Sequence, residues 1–163
     1  MTRRLLLPLL LLITCAGLFA GEASALTPQQ ARALATGEAE TRIAALNAVL
    51  SGADDKTVAF IQAVSDDAVK FTETAVFVMK DGKGFDPVTG AEAAVPETAE
   101  DVINNNQMRS ELDAALASIK LFSADVKVRA EAVKTLQGEP DEAKLPLIER
   151  AYATEAVPDI KQA

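Results

Sequence analysis

The 163 residues include no histidine and no tryptophan, and the single cysteine is Cys15. Without histidine, a Ser–His or Cys–His pair has no base, so nucleophilic catalysis by a triad is excluded in its usual forms. The common Cys/His zinc sites fail for the same reason. Eight glycines are present, but they never fall into GxGxxG or a P-loop, which leaves nucleotide binding without support. Basic residues are outnumbered: 16 Lys and Arg face 24 Asp and Glu, a net charge of −8. That balance argues against binding nucleic acid or anionic lipid and favours solubility. Beyond Phe19 no apolar run is long enough to span a bilayer, which takes roughly 20 residues.

What is present begins with an export signal. Arg3 and Arg4 form a positive n-region, Leu5 to Phe19 an apolar stretch, and Ala23-Ser24-Ala25 the small residues that a signal peptidase needs. Cleavage is expected between Ala25 and Leu26, giving a signal of residues 1–25 and one helical domain of residues 26–163. Leu12-Ile13-Thr14-Cys15 loosely resembles a lipobox, although Thr14 is a poor residue before a lipidated cysteine. Losing Arg3, Arg4 and Glu22 moves the net charge from −8 to −9. The exported part has no cysteine, so packing alone must hold it together, which favours helices over a disulfide scaffold. The expected location is the periplasm or the outer face of the inner membrane.

Three regions follow. Residues 27–72 read as helical, 74–95 as strands and turns, and 100–163 as helical again. Thr27-Pro28 opens a short helix, because proline at the first position lacks an N–H that would go unpaired anyway. A second helix runs from about Glu38 to Leu50, where Ser51-Gly52 stops it. Asp54 or Asp55 caps a third, with Val58, Phe60, Ile61 and Val64 apolar. Ala75 to Met79 is rich in β-branched and aromatic residues and predicts a strand. Asp81-Gly82-Lys83-Gly84 and Thr89-Gly90 are turns, and Phe85–Val88 and Ala91–Val95 short strands completing a meander. Pro96 to Glu100 reads as a linker.

The last region repeats the plan of the first. A shift of 87 residues places Arg42 on Arg129, Ala45 on Ala132, Leu46 on Val133, Asp54 on Asp141 and Asp55 on Glu142. It also places Val58 on Leu145, Phe60 on Leu147 and Ile61 on Ile148. Each unit is a helix, a turn, an acidic cap and a second helix, similar to the hairpin of HEAT-type solenoids. The expected fold is therefore mainly α, with HEAT-like helical hairpins around a small β-meander. A kink is expected at Pro146. Val157 to Lys161 opens a further helix that does not develop, which suggests a fragment of a longer chain.

Chemistry finds little footing. In DGKGFD, Lys83 and Phe85 stand where a calcium loop needs oxygen ligands, so a hairpin turn is the better account. The pairs Asp54-Asp55, Asp66-Asp67 and Asp141-Glu142 could supply an acid and a base for glycoside hydrolysis. Helix caps and surface charge explain them better, since 4% of residues are aromatic and no sugar platform accompanies them. The sequence reads as non-catalytic, with no cofactor and no metal site.

The densest stretch is DVINNNQMRSELDAALASIKLFS, from Asp101 to Ser123. Asn104, Asn105 and Asn106 are expected to cap a long helix. From Met108 the apolar residues Leu112, Leu116, Ile119 and Phe122 form a helical stripe. A break is expected at Leu121–Ala124 and a new helix at Asp125. The asparagine amides could also hydrogen-bond a small polar solute such as urea, but capping explains them more simply. Arg109 reads as a surface or packing charge.

The pattern NNNxMRxEL…KLFSxDxxVR, carried by Asn104, Asn105, Asn106, Met108, Arg109, Leu121 and Phe122, resembles the N-terminal extracytoplasmic region of the permease subunit of bacterial urea ABC transporters. The likeness extends from LTPQQARALATGEAETRIAALNAV through VFVMKDGKGFDPVTGAEAAVP to the end. It implies an exported helical segment ahead of a multi-span permease of the branched-chain amino acid type. That family's permease works with a second permease subunit, two cytoplasmic ATPases and a periplasmic urea-binding protein. The permease core and the urea-binding protein are thus the implied partners, no nucleic acid is implied, and the membrane is reached only through a permease part these residues lack. No pore-lining role transfers to any residue here. The rival expectation is a stand-alone secreted HEAT-like scaffold.

Overall fold

The computed structural model describes residues 26–50, 52–138 and 142–163. The expected signal, with Ala23, Ala25 and Cys15, lies outside them, as do Ser51 and Asp141. Leu26, on the far side of the expected cleavage point, is buried against the core.

The described residues form a mainly α-helical fold with a small antiparallel sheet. Helices α1 (Pro28–Ala35), α2 (Ala39–Leu50) and α3 (Asp55–Ser65) come first. Five strands follow: β1 (Val69–Phe71), β2 (Val76–Lys80), β3 (Lys83–Phe85), β4 (Glu92–Ala93) and β5 (Glu100–Asp101). Then come α4 (Asn106–Lys120), α5 (Val126–Gln137), a 3₁₀ turn at Glu142–Lys144, α6 (Leu145–Thr154) and α7 (Pro158–Gln162).

The helix starts follow from their caps. Thr27 and Gln30 form a reciprocal capping box at α1, satisfying two otherwise unpaired backbone donors. Asp54 accepts from Thr57 N at α3, Asn105 from Met108 N at α4 and Asp125 from Lys127 N at α5. Pro146 falls in the first turn of α6, where its missing N–H breaks nothing, so the expected kink has no cause.

The sheet is larger than the segment 74–95. Its order is β4-β3-β2-β1-β5, every pairing antiparallel. β1 lies in the part expected to be helical, and β5 in the expected linker and the start of the second helical region. The cause of the first difference is Asp67. Its φ of 54° is left-handed, which ends α3 and turns the chain into β1, and aspartate tolerates that conformation better than most residues. Asp81 and Gly82 both take positive φ, the pattern of a tight hairpin turn, and Lys83 and Gly84 belong to β3 rather than to the turn. Val69 faces Val78 and Phe71 faces Val76 across the β1–β2 ladder, and all four pack on the main core.

That core gathers Leu34, Leu46, Phe60, Ile61, Val64, Val69, Met108 and Leu112, each at most 1% exposed. α4 is the central helix, packing on α2, α3 and α5. A smaller cluster joins its C-terminal end, Ala117 and Leu121, to Ala132 of α5, with Val133, Leu136, Ile148 and Ala151 half-buried around it.

Candidate functional site

The signature residues divide between the two ends of α4. At its N-terminal end sits a buried polar network. Arg42, on α2 and 5% exposed, donates from Nε to Leu34 O at 2.8 Å, from Nη1 to Ile103 O at 3.0 Å and from Nη2 to Asn104 Oδ1 at 2.6 Å. Asn104 Nδ2 donates to Val64 O at 2.7 Å and Asp67 Oδ1 at 3.0 Å. Arg109 Nη2 closes the network on Asp67 Oδ2 at 2.8 Å.

The guanidinium of Arg42 thus meets three carbonyl oxygens. One belongs to the last turn of α1, whose dipole favours a cation. Burial pulls the Arg42 guanidinium below its ordinary value. The hydrogen bond from Arg109, helped by a weaker one from Asn104, holds the Asp67 carboxyl below its ordinary value against the opposing effect of burial. Both amide protons of Asn104 are committed inside the protein, and the Asn105 side chain caps α4. Of the three asparagines expected to cap the helix, one does. Asn104 instead joins α2 to the end of α3 and the Asp67 turn, and Asn106 is the exposed first residue of α4. Arg109, expected as a surface or packing charge, is exposed and pairs with Asp67.

At the other end of α4, Leu121 is buried, but Phe122 is 40% exposed rather than part of the buried stripe. The helix ends at Lys120, and the short bonds Phe122 N to Ile119 O and Ser123 N to Lys120 O swing Phe122 off the core face. Arg150 covers its ring, 4.2 Å from the centroid. Beside it, Arg129 reaches Glu155 through Nε at 2.7 Å and Nη2 at 3.1 Å, and its Nη1 donates to Ser123 O at 2.9 Å. This two-pronged bond, with the Val157 amide donating to the same carboxylate, holds Glu155 down to about 2 and raises Arg129 above its ordinary value. Lys144, 1% exposed, ties α6 to α4 through Glu111 at 2.7 Å.

Between α5, α6 and α7 lies an open apolar groove of about 200 Å³, lined by Leu121, Val133, Leu136, Ile148, Tyr152 and Ile160 among others. The exposed large apolar residues among those described are Ile103, Phe122, Val126, Leu145 and Tyr152, and Tyr152 also lines the groove. Sequence reasoning missed this surface. Its signal was the chance-like spacing of Val133, Leu136, Ile148 and Ala151 on helices that have too few neighbours to bury them.

Among the described residues no group of three or more His, Cys, Asp or Glu stands ready for a metal ion. No helix among them is long and apolar enough to cross a membrane. Asp86 accepts from Val88 N, Thr89 N and the Thr89 hydroxyl, so it serves a turn. The arrangement offers contact surfaces and internal clamps. No family model, curated protein or solved structure matches the chain.

Proposed function

We propose that this chain is a non-catalytic interaction domain, exported to the periplasm or the outer face of the inner membrane, that takes part in urea uptake together with a membrane-spanning permease. Its partners in this reading are the permease core and the periplasmic urea-binding protein. The observation that carries it is the resemblance of the Asn104–Arg129 stretch to the N-terminal extracytoplasmic region of urea ABC transporter permeases. A contact role is supported by the apolar groove with the exposed Tyr152 on its wall, since an exposed apolar surface of this kind marks interaction sites.

The finer architecture belongs to the same proposal: two HEAT-like hairpins around the sheet. In its favour, Arg42 and Arg129, 87 residues apart, both donate to backbone carbonyls of the segment before their own helix. α2 and α3 pack side by side on α4 rather than on each other, a looser arrangement than the stacked pairs of a solenoid. Co-purification of the chain with the urea-binding protein or the permease core tests the reading. Absence of association at high micromolar concentration would count heavily against it. The second reading is a stand-alone secreted HEAT-like scaffold, favoured by a polar network that is satisfied wholly within the chain. A permease encoded in frame with this segment would end it.

A further inference from the structure

Arg32 stands apart from the other arginines among the described residues. Arg42 is buried among carbonyl oxygens, Arg109 and Arg129 hold carboxylates, and Arg150 covers a ring. Arg32, half-buried in the last turn of α1, makes one long hydrogen bond, from Nη1 to Thr72 O at 3.3 Å. It lines an open cleft of about 660 Å³, a size that suits a small molecule. Glu73 and Glu100 line the same cleft, and among the described residues neither forms an ion pair. The cleft therefore holds one cation and two anions, all unpaired.

Its walls are fixed by bonds of their own. The Thr36 amide and hydroxyl both donate to Arg32 O at 2.9 Å, closing α1. Thr72 N donates to Ala75 O at 2.8 Å and the Thr72 hydroxyl accepts from Ala75 N at 3.0 Å, which sets the turn carrying Glu73. Ala99 N donates to Pro96 O at 3.0 Å just ahead of β5, where Glu100 faces Phe71 across the ladder. Walls that are already ordered lose little freedom when a ligand enters.

We propose that this cleft binds a small zwitterion, its carboxylate on Arg32 and its ammonium between Glu73 and Glu100. The guanidinium fork matches the two oxygens of a carboxylate, and the bond to Thr72 O leaves most of its donors free. A simple anion meets repulsion from the two glutamates, and a simple cation meets it from Arg32. A ligand carrying both charges meets each with its opposite. Phe71 and Pro96 offer apolar surface to the hydrocarbon between those charges. The inference goes beyond the transporter reading and rests on none of it, so neither falls with the other.

The test is a titration of the chain at low ionic strength, followed by the amide resonances of Thr36, Thr74 and Thr98. The zwitterionic probes are glycine, β-alanine and γ-aminobutyrate, which differ in the spacing of their charges; acetate and methylammonium carry one charge each. At least one zwitterion is expected to give saturable shifts at these residues with a Kd of about 1 mM, and both single ions to bind about tenfold more weakly. Arg32→Gln should weaken that zwitterion at least about tenfold, and Arg32→Lys, which keeps the charge without the fork, about threefold. The double variant Glu73→Gln/Glu100→Gln changes two exposed, unpaired side chains and leaves the fold alone. It should weaken the zwitterion about fivefold and tighten acetate about twofold, a crossing that a merely structural role would not produce. No saturation by about 50 mM of any zwitterion overturns the proposal. So does acetate binding as tightly as the best zwitterion, or a glutamate double variant in which neither ligand changes.

Discussion

Residues matched by the 87-residue shift live in different surroundings. Leu46 and Ile61 are fully buried, whereas Val133 and Ile148 are half-buried. Phe60 and Leu147 are both buried, at 1% and 8%, yet Val58 is half-buried where Leu145 is 48% exposed. In the first half α1 and α3 touch the sheet, α2 packs on α1, and α2 and α3 both pack on α4, so the apolar faces are covered twice. In the second half α5 and α6 pack on α4, and the short α7 is the further neighbour of α5. The two arginines show the same contrast. Arg42 is buried among carbonyls and the Asn104 amide, while Arg129 needs the carboxylate of Glu155. A helical plan fixes which residues turn inward, but the number of neighbouring layers fixes how far they are buried.

If coverage is the difference, truncation where α4 meets the first half should do the greatest damage. Leu112→Ala removes a fully buried side chain from the helix that α2 and α3 pack on. A loss of about 2–5 kcal/mol is expected in denaturant unfolding. A smaller loss there than at Leu136 would break the comparison. Next comes Asn104→Ala, which strands Arg42 Nη2 in a buried site, leaves Val64 O with the Asp67 amide alone and removes a bond from Asp67 Oδ1. Roughly 2–3 kcal/mol is expected, because buried polar groups left unpaired lose their solvation without return. Asn105→Ala, which removes only the cap, should lose about 1 kcal/mol, and the ratio of the two measures how much Asn104 acts as a bridge.

Gly84 sharpens the sheet's share. A Cβ there would collide with Val95 Cγ2 and lie 3.1 Å from Ala93 O, so Gly84→Ala should lower stability by about 1–3 kcal/mol. Adding Val95→Ala should restore part of it in thermal melts. No recovery in the double variant would mean that the backbone of Ala93 is the obstacle.

Much of this was readable from residue types. Thr27, Asp54, Asn105 and Asp125 cap helices because their side chains imitate the missing acceptor, and that rule needs no tertiary information. The strand Val76–Lys80 and the Asp81-Gly82 turn were legible for equally local reasons. β1, β5 and the role of Asn104 were not. Three-residue and two-residue strands carry no periodicity; β1 exists because β2 offers a partner, and β5 because β1 does. Asn104 looked like its two neighbours in sequence. Only the approach of α2, 62 residues away, separates it from them. The exposure of Phe122 was hidden likewise, because the stripe continues its spacing two residues past the end of the helix.

Acid should separate the halves by a different route. Glu155 is held at about 2 from an ordinary value of 4.5, so its charge stabilises the second half fully above about pH 4.5 and less as pH falls toward 2. Asp67 is also held below its ordinary value, so the first half weakens in acid too. The near-ultraviolet dichroism of Tyr152, the only tyrosine in a chain without tryptophan, reports only the second half. It should fade over that acid range in the wild type and show no such step in Glu155→Gln. Identical acid profiles would remove Glu155 from the account.

The smallest effect is expected at Leu136. It is half-buried, lines the open groove, and packs on a cluster with three buried members, Ala117, Leu121 and Ala132. Removing it opens no sealed cavity, because the groove already admits solvent, so only the transfer of partly covered atoms is lost. Leu136→Ala should therefore lose less than about 1 kcal/mol, against the several lost at Leu112. The same substitution measured with the groove covered by a bound partner would behave differently, since burial would then be complete and the loss would approach that of a core leucine. A wild-type-like loss in both conditions would show that any partner binds elsewhere, and it would leave the groove as an ordinary gap between helices short of neighbours.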